Sequence, residues 1–301
     1  MRIPKRIKQQ TGRFSLVDGI PFTLPVNSEK TPALMAAFAI DSEKAKTLLE
    51  GNEVWPLKAW KNAVLMITVV DYRSTDIGKY IEFSIAIGCT RGAGPAPRLL
   101  PLLLQKRYGF GQYVIDLPVS SEVSVKGGKG IWGMPKHQAN LSFEIGDKQV
   151  ASQYDLDGEL VMRIEIGRPK HDNFPIATGA ANYCAFRGML MKSYVYFKGR
   201  AGFRAGPAAK ARLYLGDHPR IQPLKALGIS NKPMFVAYIS ESQGILDDYF
   251  ENWFLSYDTP PAEAPEGLES VINLGLSEEW LAPPAAPYKE EPTVTEGAGT
   301  A

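Results

Sequence analysis

The sequence predicts a strand-rich α+β fold built mainly from antiparallel sheet with a few short helices. Three observations carry this. Several long apolar runs are rich in β-branched and aromatic residues and are separated by Gly, Ser, Asp and Asn. Short turn pairs, Gly146-Asp147 and Asp157-Gly158, tolerate the positive φ of tight hairpins. The chain also lacks a βαβ alternation, a GxGxxG fingerprint and a Walker sequence, which disfavours a nucleotide-binding sheet.

In chain order, Thr31 to Asp41, Ala63 to Arg73 and Tyr80 to Thr90 read as strands. Asp41 or Ser42 caps a helix running to about Glu50, and Pro97 to Tyr108 reads as a second helix. Gln138 to Arg168 reads as a meander of three strands turning at the two pairs named above. Tyr194 to Phe197, Ala211 to Leu215 and Met234 to Ser240 add further strands, and a short helix follows Pro219. These elements fill one domain, residues 1–259. From Pro260 onward seven of 23 prolines fall in the remaining stretch, which reads as an acidic, Pro-rich, largely extended or disordered tail over 260–301.

Composition narrows the function. Of 301 residues, 45% are apolar and 22% charged, as in ordinary globular proteins. No apolar run approaches the roughly 20 residues that span a bilayer, so no membrane is expected as a partner. The five basic residues of Met1 to Arg13 are followed by no apolar h-region, which argues against a secretory signal. Cys89 and Cys184 are the only cysteines and stand alone, as do His137, His171 and His218. Disulfide scaffolds and zinc sites are therefore disfavoured, and the cytoplasm is the default compartment. Net charge is +2, divided between a tail with eight Glu and one Lys and a body with 33 basic against 24 acidic residues. Such a body suits anionic small molecules. No basic stripe interleaved with aromatics points to nucleic acid.

Two places carry chemistry. Glu82 lies in a run with period-two alternation: Ile81, Phe83, Ile85 and Ile87 share one face, and Tyr80, Glu82, Ser84 and Ala86 the other. In an open sheet the second set meets solvent; in a closed sheet it lines an interior. The other place is the string KGGKGIWGMPKHQAN, Lys126 to Asn140. Gly127 and Gly128 permit close backbone approach. Pro135 fixes the backbone from which Lys136 starts an extended segment, and Trp132 and Met134 add apolar bulk. A lysine kept from water in such surroundings is favoured in its neutral form and can attack a carbonyl. Taken alone, a lysine after a proline is most often a surface residue, and a strand glutamate a solvated one.

The string Ile131-Trp132-Gly133-Met134-Pro135-Lys136 resembles the signature of the acetoacetate decarboxylase family, in which the corresponding lysine forms a Schiff base. Upstream, Ser74-Thr75, Gly78 and Tyr80-Ile81-Glu82 resemble the family's second block, whose glutamate faces the reaction centre. The resemblance covers roughly residues 15 to 255. It implies a largely antiparallel, cone-shaped β-barrel around an apolar pocket, homo-oligomeric assembly, and a lyase that needs no metal or organic cofactor. It also implies a small-molecule keto acid as substrate. On this footing Lys136 and Glu82 are the catalytic pair. Tyr80, Trp132 and Met134 line the substrate pocket. Tyr113 lines it too or packs in the core. His137 holds the pKa-modulating position beside the nucleophile.

Departures from the family pattern bear on the substrate. A second lysine usually follows the first; here it is His137, mostly neutral at pH 7 in its ordinary state. No arginine occurs between Arg13 and Arg73, where the family has one to hold the substrate carboxylate, and Lys30 is the nearest cation. A further acidic position falls on Ile67. The leading expectation is decarboxylation of a β-keto acid. The alternatives are other imine chemistry on a 2-oxo acid (aldol, dehydration or cyclisation) and a non-catalytic ligand-binding barrel.

Overall fold

A computed structural model describes residues 4–8 and 12–259. The proposed tail, 260–301, lies outside the described residues. Seven strands form a closed barrel: β1 (Ala33–Asp41), β2 (Asn62–Tyr72), β3 (Tyr80–Arg91), β4 (Gly111–Val119), β5 (Phe174–Phe186), β6 (Met189–Ala205) and β7 (Pro233–Phe254). Around the barrel the order is β4-β5-β6-β7-β1-β2-β3, and β3 pairs with β4 to close the ring. Every pairing is antiparallel except β4 with β5, where Gln112 and Tyr113 run parallel to Asn182 and Tyr183. The barrel is therefore mixed, with one parallel seam.

Alternation along the strands sorts residues to two faces. On β2, Ala63, Leu65, Ile67 and Val69 are fully buried on the outer face, while Val64, Met66, Thr68 and Val70 face the lumen. A second, five-stranded sheet contains Gln149–Leu156, Glu159–Gly167 and Ala211–Leu215. It covers the outer face, and its Val150, Tyr154, Met162 and Ile164 join Leu65, Ile67, Phe83 and Ile85 in one core cluster. Each such aliphatic side chain contributes roughly 1.5–3 kcal/mol by leaving water. Both faces of β2 and β3 are thus covered. One is packed solid and the other borders an internal space, a difference that periodicity alone does not reveal.

The expected strands are present, but several are longer. Tyr194 to Phe197 lies inside the 17-residue β6, and Met234 to Ser240 inside the 22-residue β7. β5 carries Gly179, Ala180 and Ala181 in its middle, too little bulk to read as a strand. The first strand of the meander is broken into Asn140–Leu141 and Glu144–Ile145, whereas the Asp157-Gly158 turn has positive φ at both residues, as the sequence implied. Asp41 caps the helix Ser42–Lys46, which stops short of Glu50. The helix expected over Pro97 to Tyr108 shortens to Leu100–Leu103, and a short one forms at Gln222–Lys225. One helix, Glu122–Trp132, lies where the sequence suggested none. It contains Gly127, Gly128 and Gly130, each costing about 1 kcal/mol against alanine in a helix, which hides it from propensity. Among the described residues no helix is long and apolar enough to cross a membrane.

Candidate active site

Those helix glycines are there for packing. A Cβ on Gly128 would overlap Cδ and Cε of Lys136, and one on Gly127 would stand 2.7 Å from the Phe22 ring. The helix ends at Gly133, whose φ of 65° is the left-handed cap that glycine adopts without strain. Met134 and Pro135 turn the chain, and Lys136–Gln138 then pairs parallel with β4, Lys136 opposite Leu117. The GG pair and the GMP turn together bring the lysine stem flat across the helix backbone. The amine is thereby aimed through the barrel wall.

Lys136 is 6% exposed. Its Nζ donates to Glu82 Oε2 at 2.7 Å and to Ser124 Oγ at 2.9 Å, and lies 5.6 Å from the centroid of the Tyr80 ring. Tyr80 stacks on Tyr72 at 4.6 Å between centroids. Burial, with the Glu82 charge next in size, pushes both phenols well above their ordinary value, so both stay protonated. All these groups border a cavity of about 630 Å³ inside the barrel. Among the described residues lining it, Lys136 is the only cation and Glu82 the only anion. The amine and the carboxylate thus meet in direct contact at the edge of this space.

The site residues singled out in the sequence divide into two groups. Tyr80, Glu82, Trp132, Met134 and Lys136 converge on the cavity. Trp132 is fixed there by its Nε1–H, which donates to the Asp247 carbonyl at 3.0 Å. Tyr113 does not line the cavity. It sits 4% exposed in the core cluster on the outer face, because Gln112 and Val114 take the inward positions of β4. His137 also points away, as strand alternation requires of the residue after Lys136. Its Nδ1 accepts from Arg220 Nη2 at 3.1 Å, and its Nε2 meets the Tyr154 hydroxyl at 2.9 Å. Tyr154 in turn donates to Asp116 Oδ2 at 3.3 Å, and Arg220 Nε donates to Asp116 Oδ1 at 3.0 Å. His218 caps the short turn Pro219–Ile221 by accepting from the Arg220 N–H. Burial lowers the His137 pKa, and the nearby Arg220 and Lys129 charges act in the same direction against Asp116. His137 is therefore a neutral member of the ring and supplies no second fixed charge.

The departures also find physical places. Lys30 is exposed at a positive φ of 51° and does not line the cavity. Ile67 belongs to the outer core, and its neighbour Thr68 takes the inward position. Sequence reasoning missed Ser124, because the helix that aims it was not visible, and Thr68, although period-two alternation in β2 marked it. Cys89 and Cys184 are buried free thiols, and burial pushes Cys184 up to about 12. Among the described residues no cluster of three or more His, Cys, Asp or Glu is arranged to hold a metal ion.

The family model described as acetoacetate decarboxylase matches residues 14–242, and the chain belongs to that family. Solved structures agree on the fold. An acetoacetate decarboxylase aligns with TM-score 0.56 at 14% identity, over 77% of this chain and 90% of its own. The acetoacetate decarboxylase of Legionella pneumophila aligns with TM-score 0.54 at 13% identity, over 82% and 90%. The enduracididine biosynthesis enzyme MppR complexed with pyruvate aligns with TM-score 0.54 at 14% identity, over 77% and 91%. A search of curated proteins gives no significant sequence match.

Proposed function

We propose that the protein is an imine-forming lyase that decarboxylates a β-keto acid through Lys136. The observation that supports this most is a buried amine hydrogen-bonded to a carboxylate and bordering a cavity inside the barrel. Glu82 takes a proton from Nζ, and the neutral amine adds to the keto carbon. Loss of the former carbonyl oxygen as water, with protons returned from Glu82, gives an iminium. The electrons of the bond to the carboxylate then flow into the iminium, carbon dioxide leaves, and an enamine remains. Protonation at carbon and addition of water release the ketone and restore the amine. Ser124 holds Nζ through these steps by its Oγ, and the stacked Tyr72 and Tyr80 line the cavity beside it. All of this uses only side chains of the chain itself.

A second reading has specific support. The cavity lining offers no arginine for a substrate carboxylate, and one structural neighbour, MppR, is complexed with pyruvate. The same amine would then condense with a 2-oxo acid and keep its carboxylate. Borohydride reduction during incubation with acetoacetate or pyruvate, followed by peptide mapping, separates the two. Decarboxylation predicts an isopropyl group on Lys136 from acetoacetate and carbon dioxide in the headspace. The second reading predicts a 1-carboxyethyl group from pyruvate and no carbon dioxide. No adduct on Lys136 with any keto acid would leave only a ligand-binding barrel.

A further inference from the structure

The cavity carries its two charges at one end and an apolar wall along one side. Facing pairs on β2 and β3 run Tyr72 with Tyr80, Val70 with Glu82, Thr68 with Ser84, and Met66 with Ala86. Beyond them Val64, Gly88 and Leu57 continue the lining. The two charges thus stand at the Lys136 end, and Val70, Met66, Val64 and Leu57 give an apolar wall along the cavity, while Gln112, opposite Gly88 and bonded to Asn182, adds a polar pair at the other end. From Tyr80 to Gly88 the lining spans eight residues of one strand, about 26 Å of chain at 3.3 Å per residue. The volume of about 630 Å³ falls in the range of pockets that enclose drug-sized ligands. A four-carbon acid would leave most of it unfilled. The Thr68 hydroxyl, one pair along from Glu82, is buried and has no hydrogen-bond partner among the described residues. The half-buried Thr68 lines the cavity, and a χ1 turn that exchanges its methyl and hydroxyl would present Oγ1 to a ligand oxygen and remove the desolvation cost of the unpartnered group.

We propose that the site takes a keto acid with an extended apolar tail, the head held by Lys136 and Thr68 Oγ1 and the tail lying along Met66, Val64 and Leu57. The proposal rests on the imine reading above for the role of Lys136, whereas the tail follows from the cavity itself. It also accounts for the missing arginine. With a long tail buried, binding does not depend on a dedicated cation for the carboxylate, and a hydroxyl donor at Thr68 is enough to orient it.

Two measurements keep the two ideas apart. Calorimetry with butanoate, octanoate and dodecanoate reads the cavity without any imine, and kcat/KM for 3-oxobutanoate, 3-oxooctanoate and 3-oxododecanoate reads turnover. Full burial of a methylene is worth about fourfold in affinity, so octanoate should bind at least about tenfold more tightly than butanoate. Met66→Trp should flatten that series. Val64→Phe serves the same purpose if Met66→Trp does not fold. Thr68→Val should weaken all chain lengths by a similar factor, about tenfold for a lost bond to a charged head group. An affinity series that is flat or falls with length overturns the tail, whatever the trapping shows. No Lys136 adduct with any keto acid overturns the imine reading and leaves the tail to be judged on calorimetry alone. A Thr68→Val effect confined to long acids would overturn its placement at the head.

Discussion

Lys136 and His137 are neighbours on one three-residue strand, yet they occupy opposite environments. Lys136 has two hydrogen-bond partners and open volume beside its nitrogen. His137 is held in a ring with Arg220, Tyr154 and Asp116 in which each member bonds to its neighbours and none lines the Lys136 cavity. A charge whose partners close around it stabilises one arrangement of the chain. A charge with a proton acceptor and empty space can change partners, and that is what covalent chemistry needs. The two residues are separated in role by strand geometry alone, since alternation sends one side chain inward and the next outward.

The comparison is broken most severely by removing the amine. Lys136→Ala should abolish borohydride trapping and reduce turnover to the background rate, while the His137 ring still supports a folded barrel by circular dichroism. Trapping of the variant at a different lysine would remove Lys136 from the chemistry. Glu82→Gln should lower turnover by about 10²–10⁴, the usual worth of a positioned acid–base group. Trapping should persist at a slower rate, because Lys136 can still condense. Unchanged steady-state kinetics would show that Glu82 only pairs with the lysine.

On the other side of the strand the effect belongs to stability. Asp116→Asn leaves Arg220 and Tyr154 facing a neutral amide, and should lower stability by about 1–3 kcal/mol, the range for bonds to charged groups. The shift is read from the urea midpoint, with imine trapping at low temperature retained. Loss of trapping in a folded Asp116→Asn protein would mean that the two sides of the strand are not separable.

The barrel was legible where side chains alternate in size. Leu65, Ile67, Phe83 and Ile85 mark one face of β2 and β3 in the sequence as clearly as in the structure. Closure was not legible, because it depends on the β3–β4 and β4–β5 pairings between segments distant in sequence. The catalytic candidates came from an unusual string rather than from physics local to each residue, since a lysine after a proline is ordinary by itself. What that string builds was hidden. Gly127 and Gly128 read as permitting close backbone approach, which they do, but nothing marked them as the interior of a helix whose missing side chains make room for Phe22 and the Lys136 stem. Ser124 stayed invisible for the same reason, one turn before Gly128 on the same helix face. Tyr113 was placed on the pocket side as one option and lies in the core, where Gln112 and Val114 leave it.

The smallest effect tests the protonation state on which the ring depends. His137 accepts from Arg220 at Nδ1, so a proton there would break that bond and set two cations together. Its folded pKa is lowered from 6.5, mainly by burial. A group depressed in this way contributes stability that is fully present above its unfolded value and is lost as pH falls through the lowered folded value. The urea midpoint should therefore drop as pH falls from about 7.5 to below the ordinary histidine value near 6.5. His137→Gln keeps an uncharged polar side chain and should flatten the part of that slope due to the imidazole, measured as the difference between the two proteins. Parallel curves for wild type and His137→Gln would mean that the ring tolerates the imidazolium. The contrast with Lys136, whose proposed chemistry requires gaining and losing a proton, would then lose its basis.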